Sequence, residues 1–133
     1  MVTVDDVRDL AETLPRSYEV LVRDRVKFRV GQMVYVAFSR DEQTMGFGFP
    51  KEERHMLVET DPDKFMLPRD SDMRFNWVLA RCEELDEEEM RELVLDAWRT
   101  VVPKKVWTAY DEALTAGRAG GAAEPRRAPR SGS

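Results

Sequence analysis

A chain of 133 residues and 15.4 kDa is long enough for one sizeable core and short for several domains. Apolar residues make up 42% and charged residues 35%, the balance of a chain that folds in water, and no apolar run approaches the ~20 residues of a membrane span. The single cysteine, Cys82, excludes an internal disulfide and a cysteine zinc site, and it fits a reducing cytoplasm.

The N-terminal Met1–Asp6 lacks the charged-then-apolar order of a signal peptide, so a cytoplasmic location is expected. The net charge of −5 is unevenly spread. Residues 118–133 carry Arg118, Arg126, Arg127 and Arg130 against Glu124 alone, which leaves 17 basic and 25 acidic residues for the rest. An acidic body is a poor general attractor for nucleic-acid phosphates, so such binding needs a local basic patch.

Thr3 followed by Asp5 and Asp6 reads as an N-cap with acidic residues in the first turn. Val4, Val7, Leu10, Ala11 and Leu14 then recur at helical spacing up to Pro15. Tyr18 to Val22 reads as a first strand. From Arg23 to Val30 the chain alternates, with Arg23, Arg25, Lys27 and Arg29 on one side and Val26, Phe28 and Val30 on the other. Arg23-Asp24-Arg25 reads equally as a turn, which would leave only Lys27 and Arg29 sharing a strand face. The pair Gly31-Gln32 turns the chain into Met33–Phe38, apolar at every position, as for a central strand or one covered on both sides.

A polar loop, Ser39–Gln43, leads to Thr44–Phe49, where Met45, Phe47 and Phe49 share a side and Gly46 and Gly48 the other. Glycines at i and i+2 leave a shallow groove for a helix or a close backbone. Pro50 is placed to open a helix over Lys51–Glu59, which Asp61-Pro62-Asp63 breaks. Phe65–Leu67 is a short strand, Pro68–Asp72 a polar loop, and residues 74–82 the last strand. Asp86 caps a helix with Glu87, Glu88 and Glu89 in its first turn and Met90, Leu93, Val94, Ala97, Trp98 and Val101 as its buried stripe. Beyond Pro103, the residues Val106, Trp107, Tyr110 and Leu114 mark a short final helix. From Gly117 the composition of Gly, Ala, Pro, Arg and Ser predicts a disordered tail, so the expected organisation is one domain over 1–116 and a tail over 117–133. The element order gives an α+β class, an antiparallel sheet with helices packed on one face.

The segment F-G-F-P-K-E-E-R-H-M-L-V-E-T-D-P-D-K-F, the later N-W-V-L-A, and D-A-W-R-T-V-V-P-K-K together resemble the MmcQ/YjbR family. The earlier L-P-R-S-Y-E and K-F-R-V-G-Q-M-V-Y-V match in the same order, so the resemblance spans about Val7 to Leu114. It implies a frataxin-like (CyaY-like) α+β sandwich and a DNA-binding role. One departure stands out. Family members often carry Pro-Tyr and then a loop ending in Gly-Trp, whereas here Pro68-Arg69 leads to Asn76-Trp77.

The cations Arg23, Arg25, Lys27 and Arg29 are the leading nucleic-acid candidates, because side chains about 7 Å apart along a strand roughly match successive phosphates. The plainer alternative is a solvated face that discourages edge pairing. No aromatic residue interleaves on that face, so phosphate contact rather than base stacking is expected. Lys104 and Lys105 would add phosphate contacts or simply cap a helix C-terminus. His55, with Glu52 and Glu59 at helical spacing, resembles a metal triplet, but a charge-rich helix yields such triplets by chance. The acidic run Glu87–Glu89 with Glu92 superficially resembles the iron-binding helix of frataxins, and the helix dipole explains it as well. Cys82 reads as a structural thiol, and Trp77, Trp98, Trp107 and the phenylalanines as core. The reading is therefore a non-catalytic domain without metal or cofactor that binds DNA weakly and without sequence preference. The alternative is a protein- or small-ligand-binding module with no nucleic-acid role.

Overall fold

The computed structural model describes residues 1–120, with side chains through 116; the expected tail beyond 120 lies outside the described residues. The chain divides into two compact units, Met1–Val101 and the part from Val102 onward.

Thr3 starts the first unit as its spacing predicts. Its hydroxyl accepts from the Asp6 N–H at 3.3 Å, and Asp6 Oδ2 accepts from the Thr3 N–H at 2.9 Å. This reciprocal pair satisfies two donors that no helix can satisfy internally, and α1 runs over Val4–Ala11 with Val4, Val7, Leu10 and Ala11 buried. Four strands follow: β1 (Ser17–Val22), β2 (Arg25–Val30), β3 (Met33–Phe38) and β4 (Thr44–Gly48). After α2 (Arg54–Thr60) come the two-residue β5 (Phe65–Met66), β6 (Trp77–Arg81) and α3 (Glu87–Arg99). The strands form one antiparallel sheet in the order β1-β2-β3-β4-β6-β5. The fold is α+β, as its periodicities predict.

One face of the sheet is the core. Val26 and Phe28, Val36 and Phe38, Met45 and Phe47, and Val78 and Ala80 are all buried, and α3 covers β3 and β4 with Met90, Val94, Ala97 and Trp98. Alternation with a period of two therefore sends the intervening residues to the opposite face. The register of β3 on β2 slips between Phe28 and Arg29, leaving Tyr35 as the extra residue of a bulge. Tyr35 and Val36 are consequently both buried although adjacent.

Of the two readings of Met33–Phe38, the central strand holds, since β3 lies between β2 and β4 inside the sheet, and cover on both sides does not. Met33 is 60% exposed and Ala37 only half-buried, so the bulge accounts for part of the unbroken apolar run. Two further expectations change. Pro50 does not open a helix: Pro50–Glu53 is a turn, closed by the Glu53 N–H on the Pro50 carbonyl at 3.0 Å, and helical backbone begins at Arg54. Phe75 is not core, being 49% exposed with the Arg74 guanidinium 4.7 Å from its ring centroid.

In the second unit α4 spans Lys104–Gly120, past the expected domain end at 116. The Pro103 carbonyl accepts from the Val106 N–H at 2.9 Å where the helix begins.

Candidate nucleic-acid interface

The cations expected in one comb are divided by the backbone. Arg23 and Asp24 both have positive φ, 52° and 66°, and form the β1–β2 turn. Left-handed backbone at two successive residues is the geometry of a tight hairpin turn, which removes Arg23 from the strand face. Arg25, Lys27 and Arg29 remain on β2 and alternate with the buried Val26 and Phe28. Three cations thus share the face turned away from the core.

The registers define a complete row across that face: Val20, Lys27, Ala37, Gly46, Leu79 and Met66, one residue from each strand. Beside it, Tyr18 pairs with Arg29 and Val22 with Arg25 on the β1 edge. None of Arg25, Lys27 and Arg29 has an ion pair among the described residues, and Arg29 Nε is buried without a hydrogen-bond partner. Elsewhere cations find carboxylates: Arg8 binds Glu19 at 2.7 Å, and Lys64 binds Glu89 at the same distance. Those bonds hold Glu19 below the usual carboxylate range and raise Lys64.

Aromatic residues do accompany the cations, against expectation. Tyr18 lies beside Arg29 from the neighbouring strand, 43% exposed, and its hydroxyl donates to the Gly31 carbonyl. Trp77, read from the sequence as core, is half-buried on the open face with its indole laid over Gly46. Neither proximity is visible in β2 alone, because sheet order rather than sequence brings them together. The Gly46 groove therefore holds a side chain, whereas Gly48 lies near Ala97 and Thr100 of α3.

Arg40 was not anticipated either. It sits in the β3–β4 loop, and its Nε donates to the Arg23 carbonyl at 3.1 Å, adding a cation at that end of the sheet. Asp24, Asp41 and Glu42 are exposed at the same end, so net positive charge concentrates on the strand face and not at the tips. Lys104 and Lys105 occupy the first turn of α4, not a helix C-terminus, so C-terminal capping does not explain them. Both are exposed in the second unit.

The loop that departs from the family pattern is held by buried Arg54. Its guanidinium donates to the carbonyls of Met73, Phe75 and Trp77, the second at 2.8 Å, while Asn76 Oδ1 accepts from the Lys51 N–H at 3.0 Å. These bonds fix the loop and aim Trp77 at the sheet.

The remaining candidates stay apart. Glu52 lies in the turn before α2, off the helix that carries His55 and Glu59, and all three are exposed. No group of three metal-ligating side chains is assembled among the described residues. The Asp86 carboxylate accepts from the Glu89 N–H at 2.7 Å, so the acidic start of α3 serves its own cap. Cys82 is buried just after β6, and burial pushes its thiol up to about 11. No described helix is long and apolar enough to cross a membrane.

An antiparallel six-stranded sheet with its core on one face and the three cations of β2 on the other defines the class: a small α+β domain. A family model described as YjbR matches residues 12–100, and the chain belongs to that family. The crystal structure of Deinococcus radiodurans protein DR2400, which carries the domain DUF419 of the same family, is similar in fold. The TM-score is 0.68 at 20% identity over 82% of this chain and 88% of that one. No curated protein matches the chain.

Proposed function

We propose that this domain is a non-catalytic nucleic-acid-binding module that holds phosphates on the open face of β2. The observation that carries the reading is the row Arg25, Lys27 and Arg29, spaced about 7 Å apart and lacking carboxylate partners in a chain with excess acid. Cations left without internal anions on one surface favour an external one. Phosphates suit the spacing, and the contacts carry no base identity, so binding is weak, similar across sequences and steeply salt-dependent. Arg23 and Arg40, which stand among Asp24, Asp41 and Glu42 at one end of the sheet, are secondary candidates, as are Lys104 and Lys105.

The test is a salt titration of DNA binding by a chain whose Arg118, Arg126, Arg127 and Arg130 are changed to Ser, so that the tail cannot mimic the sheet. On that background, changing Arg25, Lys27 and Arg29 together to Ser should reduce the slope of log K against log salt by about one unit per lost contact. Fold stability should change little, because these side chains make no internal ion pair. An absence of binding at low salt before the β2 changes would refute the reading.

A further inference from the structure

We infer that the open sheet face takes a single nucleic-acid strand, with a base stacked on Trp77 and the backbone phosphates on Lys27 and its neighbours. This rests on the reading of the β2 face as phosphate-binding and adds the form of nucleic acid.

Two independent features support it. The first is the seat of the indole. A Cβ built on Gly46 would lie 2.6 Å from Trp77 Nε1 and 2.9 Å from both Cε2 and Cζ2. These three atoms are contiguous along one side of the indole, so the Nε1–Cε2–Cζ2 edge of the ring is lodged in the gap left by Gly46. A ring seated by this edge is held in place, and because Trp77 is only half-buried part of its π surface stays accessible on the sheet face. Arg54 and the loop before β6 fix the approach of the ring, so the platform is formed before any ligand arrives.

The second feature is what lies beside the ring. Along the row, only Ala37 separates Gly46 from Lys27, a distance of about 10 Å across two strand spacings. A small residue there leaves the path from indole to ammonium open. Cation and ring are thus spaced for one nucleotide to place its phosphate on Lys27 and its base over Trp77. Tyr18, exposed beside Arg29 on the edge strand, offers a second ring for an adjacent nucleotide. A duplex cannot use this arrangement, because its bases are stacked on one another inside the helix. A single strand can, and base–aromatic stacking tolerates any base.

The test compares three labelled ligands on the full chain with its four tail arginines changed to Ser: a short poly-dT strand, an abasic strand of equal length, and a duplex. Binding is followed by fluorescence anisotropy. The dT strand should bind about tenfold more tightly than the abasic strand, the contribution expected of one stacked base. Trp77→Leu should remove most of that advantage and leave abasic binding unchanged, whereas Trp77→Phe should keep much of it. Circular dichroism establishes that each variant is folded. If Trp77→Leu unfolds, the wild-type comparison of dT with abasic strand and the Trp77→Phe variant decide. Equal binding of dT and abasic strands, or tighter binding of the duplex, overturns the stacking inference and leaves the phosphate reading standing. No binding of any of the three overturns both.

Discussion

At the scale of single residues, Gly46 and Gly48 look alike in the sequence and differ sharply in what they tolerate. Gly46→Ala would drive a methyl group into the rigid indole of Trp77, closer than real Cβ contacts come. The ring cannot yield without leaving its seat, so the substitution should destabilise by about 1–3 kcal/mol, the usual cost of overpacking. Gly48→Ala meets nothing nearer than 3.8 Å, from Ala97 Cβ and Thr100 Oγ1, and should be tolerated. Urea midpoints of the two variants test this directly, and a Gly46→Ala midpoint equal to wild type would show that the indole does not fill the gap at Gly46. Alternation predicted that both glycines leave the Phe47 side of β4, but a Cβ at Gly48 would face Ala97 of α3, the helix that covers that side. Nor could alternation predict that Trp77, from a strand formed much later in the chain, would fill the gap at Gly46.

At the scale of elements, α3 joins the sheet to the chain's N-terminal segment. Its stripe of Met90, Val94, Ala97 and Trp98 is fully buried, and Trp98 Nε1 donates to the Pro15 carbonyl at 3.0 Å. Trp98→Ala should cost about 3–5 kcal/mol, because a cavity of indole size opens beneath a helix that cannot collapse onto the sheet. Trp98→Phe should cost less, losing a hydrogen bond worth about 1 kcal/mol and part of the contact surface. Chemical denaturation checks both, and an Ala variant with a wild-type midpoint would remove α3 from the core. This stripe was legible from helical spacing alone. The start of α2 was not. Proline at a first helical position is a sound local signal, but the buried bonds of Arg54 to three loop carbonyls and of Lys51 to Asn76 hold Pro50–Glu53 as a turn.

At the scale of the whole molecule, burial of two weak acids sets an alkaline limit to stability. Burial raises Tyr35 from its ordinary value of 10.0 to about 12, and Cys82 from 9.0 to about 11. Each group keeps its proton longer in the folded chain than in the unfolded one. Stability from these groups is therefore fully present below about pH 9 and declines as pH rises through 9 to 12. Thermal midpoints measured across that interval should fall, and Tyr35→Phe with Cys82→Ala should flatten the decline relative to wild type. An equally steep fall in the double variant would assign the limb to other groups. The sequence by itself determined the class of fold, the cap of α1, the stripe of α3 and the resemblance to the family, because each is a local period or a contiguous motif that a chain displays before folding. Only the tertiary structure decided which cations share a face, that Arg23 leaves them and Arg40 lies at one end of the sheet, and that Trp77 shares the sheet face of Lys27 and is only half-buried. Those outcomes depend on hairpin backbone, strand order and register, which pair residues as far apart as Thr44 and Arg81 through hydrogen bonds that no local pattern encodes.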